Sequence, residues 1–293
     1  MLAVDTLTLN ATDGYQLAAT RYQSTEKANT SIVLINSAMG VQRGYYQSFA
    51  KYLANKGMIV ITWDYRGISD SLYEPVASFS GWMHEWGEKD LVGVIDWIKD
   101  THPGLPINCI GHSVGAQLVG LASNNQHIST FIGIAGQKGY WGHWQGLMKL
   151  KVWLSMHLLL PGLVRFKGFL PGKLLNSCDL PKNVALQWAQ WCRNKHFVVD
   201  QQGNANHEHF ISYPGKLIAY SFYDDELFAP PAAVDALSAL YTSANVTRRH
   251  IDQQDVNDNA VGHFGFFRTQ FRKSLWQDVL KHLNQPSTAS RNA

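Results

Sequence analysis

The chain has few cysteines and little net charge, and each shortage argues against a class of protein. Its 293 residues contain only Cys109, Cys178 and Cys192, an odd number at unrelated spacings. We therefore expect no disulfide framework. The formal net charge is only +3, and the lysines and arginines are scattered along the chain. This pattern gives no electrostatic reason to expect a nucleic-acid partner.

Long apolar segments are also scarce. The most apolar window, residues 152–163, is interrupted by His157, Pro161 and Gly162 and is shorter than the roughly 20 residues that span a bilayer. We therefore expect no stable membrane insertion. The first residues lack the basic start and sustained apolar core of a secretory signal, so a soluble, cytoplasmic protein is expected. Residues 286–293 are polar and are expected to be disordered.

Apolar runs and turn residues divide most of the chain into alternating strands and helices. Residues 5–12 and 16–22 flank a Thr-Asp-Gly turn and predict a hairpin. Further strand patterns, several of them continuously apolar as in buried parallel sheets, lie at residues 31–36, 58–63, 105–110, 128–135, 216–222 and 246–251. Helical patterns separate them. The order predicts an α/β fold with a doubly wound, mostly parallel eight-stranded sheet.

The alternation stops in residues 137–213, which hold five of the ten tryptophans and no clean strand. Pro161-Gly162 and Pro171-Gly172 are expected to break this stretch into short helices. It is too aromatic for a linker, so we interpret it as a helical cap inserted between two late strands. Residues 1–136 and 214–285 would then form the core.

Aromatic side chains in a cap over the carboxyl-terminal edge of such a sheet commonly line an apolar pocket. The tryptophans that we expect to bind an acyl group are Trp141, Trp144 and Trp153. The alternative is that these three side chains form the core of the cap itself.

The most informative motif is GHSVG at residues 111–115. An apolar strand pattern precedes it, and residues 116–122 begin a helical one. A G-x-S-x-G between strand and helix is typical of a nucleophile elbow, where glycines relieve the crowding around a strained serine. We therefore predict Ser113 as a nucleophile. His112, within the motif, is expected to point away from the reaction and to pack or hydrogen-bond locally.

A serine nucleophile needs a histidine base, and the base needs a carboxylate to orient it. In the elbow fold these residues follow the serine in the order acid, then base. Carboxylates follow the strand at residues 216–222, where Asp225 fits the expected offset better than its competitor Asp224. His263, between two glycines in the loop before the last helix, has the position expected of the base.

Two backbone N–H groups should stabilise the oxyanion of the intermediate. One is expected from Val114, the residue after the nucleophile. Counting from the end of the strand at residues 31–36 favours Ala38 for the second, with Met39 next. No cofactor is expected. No metal site is expected either, because the spacing of His207-Glu208-His209 does not close around an ion.

With these residues identified, the chain resembles the α/β-hydrolase superfamily over nearly its full length. Residues 64–71, DYRGISDS, are similar to the family's D-x-R-G-x-G-x-S loop, except that Ser69 replaces the second glycine. A closer resemblance is to a little-characterised bacterial group of predicted hydrolases related to the serine aminopeptidase and monoglyceride lipase branch. The matching segments are GYW at 139–141, LP at 180–181, QWAQWC at 187–192, SFYDD at 221–225 and GHFGFFR at 262–268. The resemblance implies a cytoplasmic bacterial serine hydrolase with a helical cap.

The predicted function is hydrolysis of small or medium carboxylic esters with an apolar acyl group, through an acyl-enzyme. An acyltransferase or an aminopeptidase could use the same three residues. A non-catalytic ligand-binding protein on the same fold, or a membrane-associated lipase that uses the Trp and Leu clusters, are further alternatives. The sequence leaves the physiological substrate and the oligomeric state open.

Overall fold

The main feature of the molecule is one eight-stranded sheet. The structure, a computed structural model, describes residues 1–174, 177–200 and 202–285. The predicted disordered tail, residues 286–293, lies outside the described residues. The strands are β1 (Leu2–Asn10), β2 (Gln16–Ser24), β3 (Ser31–Asn36), β4 (Met58–Trp63), β5 (Ile107–His112), β6 (Ile128–Ile134), β7 (Phe169–Leu170), β8 (Leu180–Pro181), β9 (Lys216–Phe222) and β10 (Asn245–Ile251).

The main sheet has the strand order β1-β2-β4-β3-β5-β6-β9-β10, and β7 pairs separately with β8. All neighbouring strands from β4 to β10 in this order pair in parallel, and only β2 runs against its neighbours. Every residue of β3, β4 and β5 is buried, which explains their continuous apolar runs. The predicted doubly wound, mostly parallel eight-stranded sheet is confirmed.

Helices connect the strands. They are α1 (Gln47–Ala54), α2 (Met83–Glu85), α3 (Val92–Thr101), α4 (Val114–Leu118), α5 (Gly146–Leu154), α6 (Leu160–Lys167), α7 (Lys182–Arg193), α8 (Glu208–Ser212), α9 (Pro231–Ser238) and α10 (Leu275–Leu283). The last helix was expected to begin near Phe264 but begins at Leu275. Two 3₁₀ turns precede it, and they fold the chain back so that Phe266 and Phe271 pack into the core.

Residues 137–213, between β6 and β9, contain α5 to α8 and are called the insertion below. The insertion contacts loops that follow the carboxyl ends of strands. Cys178 N–H donates to the carbonyl of Gly40 after β3 (2.8 Å), and Trp144 Nε1 donates to carbonyls of Glu226 and Leu227 after β9. The insertion therefore lies against the sheet edge where the reactive residues were predicted. Its action as a separate cap stays a prediction.

The expectation that Pro161 ends a helix is wrong. Residues Gly146–Lys167 form one helix of 22 residues, in which a wider π-helical turn at Ser155–Leu159 joins α5 to α6. Such a turn directly before a proline accommodates its ring and its missing N–H. By length and composition this helix is long and apolar enough to cross a membrane, unlike the dozen residues expected. It is the only such helix among the described residues.

The loop after β4 contains a strained residue at the one position where the sequence departs from the family motif. Ser69 has a φ of 49°, in the left-handed region that favours glycine. Asp64, at the start of the same loop, is buried and accepts hydrogen bonds from the Arg43 backbone N–H (2.7 Å) and from the Arg43 guanidinium. These contacts fix the loop, so Ser69 keeps a conformation that a side chain disfavours.

We predict that Ser69→Gly stabilises the protein. The strain energy that glycine removes from the folded protein should exceed the stability lost because glycine gives the unfolded chain more entropy. The free energy of unfolding should therefore rise by about 0.5–1 kcal/mol. Urea denaturation measures this change. Ser69→Ala is the matched control, because it removes the hydroxyl but keeps the strain and should leave stability within about 0.5 kcal/mol of the original. Equal stability of Ser69→Gly and Ser69→Ala would contradict the prediction.

Candidate active site

Ser113 lies at a backbone turn that only a particular set of neighbours permits. Its φ and ψ are 52° and −115°, between the end of β5 and the start of α4. A Cβ on Gly111 would lie 2.6 Å from the Ala116 backbone, and one on Gly115 would lie 2.3 Å from the Asn36 carbonyl oxygen. Both glycines of the motif are thus required by close backbone approach. The turn makes the serine side chain project outward from the carboxyl end of β5.

The structure brings the three predicted catalytic side chains together. Ser113 Oγ lies 2.8 Å from His263 Nε2, and His263 Nδ1 lies 2.7 Å from Asp225 Oδ2. The three residues are between 2% and 7% exposed, so little water competes for these hydrogen bonds. In this geometry an imidazole can take a proton from a hydroxyl while a carboxylate fixes its tautomer.

Asp224 has a different place from its neighbour. Its carboxylate accepts hydrogen bonds from the backbone N–H groups of Val261 (2.8 Å) and Gly262 (2.9 Å). Asp224 therefore holds the loop that carries His263, while Asp225 contacts the imidazole itself. Of the two carboxylates that the sequence left open, the structure puts Asp225 beside His263.

His112 joins the two loops on either side of the serine. One ring nitrogen, Nε2, lies 2.8 Å from the His263 carbonyl oxygen and must donate to it. The other, Nδ1, therefore accepts from the Tyr46 hydroxyl (2.9 Å), and the Tyr46 oxygen accepts the Ala38 N–H (2.8 Å). Burial lowers the pKa of His112 to about 3, so the ring stays neutral and keeps this tautomer. Local hydrogen bonding by His112 was expected from its position, but its partners were not.

The same contacts change the ranking of the oxyanion donors. Ala38 was favoured, but its N–H is already donated to Tyr46. Met39 N–H has no acceptor among the described residues. Nor does Val114 N–H, which occupies the first position of α4, where no intrahelical partner exists. Met39 and Val114 are therefore the better pair of donors.

A cavity of about 750 Å³ lies between the insertion and the sheet edge. Apolar side chains of the helix Gly146–Lys167, among them Val152, Leu160 and Leu163, form much of its wall. Phe228 lines it from the core, and its ring lies 4.9 Å from the His263 imidazole. Ser113 does not itself line the cavity and is connected to it through His263, whose imidazole contacts both Phe228 and Ser113 Oγ. A predominantly apolar space of this size is typical of a ligand site.

The three tryptophans do not share this cavity, contrary to expectation. Trp144 lines it. Trp141 and Trp153 line a separate, open depression of about 440 Å³, because each packs against His157: Trp153 stacks on that imidazole at 4.5 Å and Trp141 meets it edge-on at 6.3 Å. Trp188, which the sequence did not single out, lines the large cavity. Its position depends on the packing of α7, which no local pattern indicates.

A second cavity of about 640 Å³ adjoins the His263 loop at Phe264. It is lined by Gly40, Val41 and Gln42 after β3, and by Phe264 and the exposed Arg268. Gly40 and Val41 directly follow the candidate donor Met39. The His263 imidazole thus contacts Phe228 of the apolar cavity, and the next residue in the chain, Phe264, lines the more polar one.

No group of three metal-binding side chains occurs in the described ranges of the chain. His207 and Glu208 lie at the start of α8, where the His207 ring packs at 5.7 Å from the Phe210 ring, which is buried. Packing against an aromatic ring accounts for this histidine without an ion.

A comparison with known families identifies the fold family. A family model described as "Hydrolase_4: Serine aminopeptidase, S33" matches residues 27–196, more than half of the chain. The chain belongs to this α/β-hydrolase family. It is also 30% identical over 95 residues to a monkeypox virus protein described as "Monoglyceride lipase homolog". That match covers 32% of this chain and only 33% of the viral protein.

Solved structures of esterases share the architecture of this hydrolase. An esterase from Pyrococcus furiosus matches with a TM-score of 0.63 and 14% identity, covering 98% of this chain and 92% of the esterase. A carboxyl esterase from Bacillus coagulans matches with a TM-score of 0.63 and 15% identity over 96% and 98% of the two chains. A Xanthomonas campestris serine hydrolase described as lacking a lid has a TM-score of 0.55 and 15% identity over 97% and 96%. These likenesses show the fold.

We predict that substitutions of the two neighbouring carboxylates have different effects. Asp225→Asn should lower kcat by about 10⁴-fold with little change in stability, because the imidazole loses its tautomer and its charge partner. Asp224→Asn should lower the free energy of unfolding by about 1–2 kcal/mol, because two backbone donors lose a charged acceptor, and should reduce kcat much less. Ester kinetics and urea denaturation of both variants measure this. A larger kcat loss in Asp224→Asn would reverse the assignment.

A second prediction concerns acid stability. His112 has a pKa of about 3 in the folded protein and about 6.5 when unfolded, so between these values the unfolded chain binds the extra proton. The stabilisation is therefore complete above the unfolded pKa and is lost progressively as the pH falls towards the folded one. His112→Gln should flatten the decline in unfolding free energy between about pH 7 and pH 4. His196→Gln, at an exposed histidine, should leave that slope unchanged. Identical slopes in the two variants would contradict a neutral, buried His112.

Proposed function

We propose that this serine hydrolase cleaves carboxylic esters with an apolar acyl group through an acyl-enzyme on Ser113. The observation that carries the proposal is the continuous hydrogen-bonded series Ser113–His263–Asp225 beside an apolar cavity of about 750 Å³. A serine in this arrangement attacks carbonyl carbon. Nothing in the series requires a cofactor.

In the proposed first half-reaction, Ser113 Oγ forms a bond to the ester carbonyl carbon while its proton passes to His263 Nε2. Asp225 stabilises the imidazolium that results. The carbonyl oxygen becomes an oxyanion and accepts hydrogen bonds from Met39 and Val114 N–H. When the C–O bond to the alcohol breaks, His263 returns the proton to the leaving alkoxide. The alcohol departs and the acyl group stays on Ser113.

In the second half-reaction a water molecule takes the place of the alcohol. His263 accepts its proton as the oxygen attacks the acyl carbon, and then protonates Ser113 Oγ as the acyl bond breaks. The products are one carboxylic acid and one alcohol for each ester and water consumed. We assign the acyl chain to the large apolar cavity and the alcohol to the more polar cavity beside Arg268, because their linings match those chemistries.

The similar proteins agree with an ester substrate, since they include esterases and a monoglyceride lipase homologue. The family description also names an aminopeptidase. An aminopeptidase needs an anionic group for the substrate's α-ammonium. Among the described residues the large cavity contains no carboxylate and one cation, Lys151, which favours an ester over a peptide. An acyltransferase would differ only in the acceptor that replaces water.

The test is turnover of a p-nitrophenyl ester series from acetate to palmitate. Ser113→Ala should lose at least about 10⁴-fold in kcat while keeping its fold. Leu163→Trp, which narrows the large cavity, should lower kcat/KM for long chains several-fold more than for acetate. Leu150→Trp is the matched control, because Leu150 lies on the same helix but lines the separate depression beside Trp153.

The outcomes discriminate between the proposed reaction and its alternatives. Undiminished ester hydrolysis by Ser113→Ala would refute the nucleophile. Faster release of an amino acid from an aminoacyl p-nitroanilide than of acid from any ester would favour the aminopeptidase. Equal shifts in chain-length preference for Leu163→Trp and Leu150→Trp would contradict the assignment of the acyl group to the large cavity.

A further inference from the structure

The helix Gly146–Lys167 exposes an unusual amount of apolar surface. In a water-soluble core helix most residues are buried, but only 17% of this helix's most apolar 18-residue window is. Its exposed large apolar side chains are Leu147, Leu150, Leu154, Leu158, Leu159 and Phe166. The leucines at 147, 150, 154 and 158 recur every three or four residues and form one stripe along the helix. Contiguous exposed apolar surface of this kind marks an interaction site.

The charges beside this stripe all have one sign. The helix carries Lys149, Lys151, Arg165 and Lys167, and no aspartate or glutamate. The whole chain has a formal net charge of +3, so without these four cations the remainder would carry −1. None of the four forms a salt bridge with a carboxylate among the described residues. These four cations thus equal more than the whole net positive charge of the chain and are not neutralised by carboxylates; Lys149 also lies 5.3 Å from the Trp141 ring centroid, and Lys151 also lines the large cavity.

The opposite face of the helix is committed to the fold. Val152, Pro161 and Val164 are buried, and Leu160 and Leu163 form part of the cavity wall. Inserting the helix across a bilayer would expose the core beneath it and dismantle the cavity. The helix can therefore contact a membrane only by lying along it, over a length of about 33 Å.

We propose that the exposed face of Gly146–Lys167 docks on the surface of an anionic phospholipid bilayer, with the helix parallel to the membrane plane. A leucine stripe with lysine and arginine beside it is the pattern of helices that bury their apolar side at the lipid interface. The cations would contact lipid phosphates, each adding to the attraction. Lysine is depleted in protein–protein interfaces, which disfavours a protein partner or a second copy of this chain. Such peripheral docking is compatible with the expectation of no stable insertion.

The docking face also adjoins the large cavity. Leu154 and Leu159 are both exposed on the helix and part of the cavity lining. On a docked molecule this edge of the cavity would open towards the acyl region of the membrane. That a lipid-dissolved ester enters by this route rests on the proposed function, whereas docking itself does not.

The experiment measures vesicle binding separately from catalysis. Ser113→Ala protein, which cannot turn over any ester in the vesicle, is sedimented with extruded vesicles of phosphatidylcholine alone or with about a third phosphatidylglycerol. We expect binding to the anionic vesicles to be at least about tenfold stronger than to the neutral ones, and to weaken as salt is added.

Two triple variants in the same background test the face itself. Leu147→Gln, Leu158→Gln and Phe166→Gln remove exposed apolar side chains that line no described cavity. Lys149→Gln, Arg165→Gln and Lys167→Gln remove three of the cations. Each triple variant should lower the affinity for anionic vesicles by about tenfold or more. Melting temperatures close to that of the parent would show that each variant is folded.

Control variants make comparable changes elsewhere on the surface. Val4→Gln, Ile211→Gln and Val246→Gln remove exposed apolar groups, and Lys51→Gln, Lys273→Gln and Lys281→Gln remove the same charge. Both controls should bind vesicles like the parent. The proposal is overturned if the parent does not prefer anionic vesicles, or if the controls lose as much binding as the test variants. It is also overturned if sedimentation equilibrium shows a dimer that only the helix variants dissociate while vesicle binding is unchanged. If the protein with Ser113 intact does not hydrolyse esters but vesicle binding is as expected, only the proposed function is refuted.

Discussion

The arrangement of the site depends on one constraint, the close approach of backbone segments around Ser113. The serine has a positive φ, and neither flanking glycine has room for a Cβ. This strain persists because the surrounding elements fix it: Ser113 N–H donates to the Ile134 carbonyl of β6, and Asn36 at the end of β3 donates from its side chain to the Gly115 carbonyl. Three neighbouring parallel strands therefore determine where the hydroxyl points.

The hydrogen bonds of His112 extend this constraint to the groups that would act with the serine. Through Tyr46 the imidazole is connected to the loop that contains Met39, and through its other nitrogen to the backbone of His263. Asp224 fixes the same histidine loop from the other side. A neutral, buried histidine can serve in this way because burial keeps its pKa far below neutrality. The elbow thus positions the candidate oxyanion donor and the candidate base as well as the nucleophile.

The parts of the molecule that sequence reasoning predicted are those determined by local pattern or chain order. Strands β3, β4 and β9 have the predicted bounds because buried parallel strands require continuous apolar runs, and His263 was found because it follows the last strand. The errors arose where a side-chain contact or a change of helical pitch that the residue pattern does not encode decides the outcome. The Tyr46 hydroxyl oxygen accepts the Ala38 N–H. Trp141 and Trp153 pack against His157 and do not line the large cavity, and a π-helical turn allows the helix to continue through Pro161. None of these contacts has a signal at the residue concerned.

The measurement that tests the central claim most directly is covalent capture of the nucleophile by a fluorophosphonate, followed by intact mass and peptide mapping. The account predicts one adduct per chain, on the peptide that contains Ser113. It also predicts no adduct in Ser113→Ala and much slower labelling in Asp225→Asn, because the histidine there is misoriented. Labelling of a different serine, or unchanged labelling after Ser113→Ala, would contradict the account.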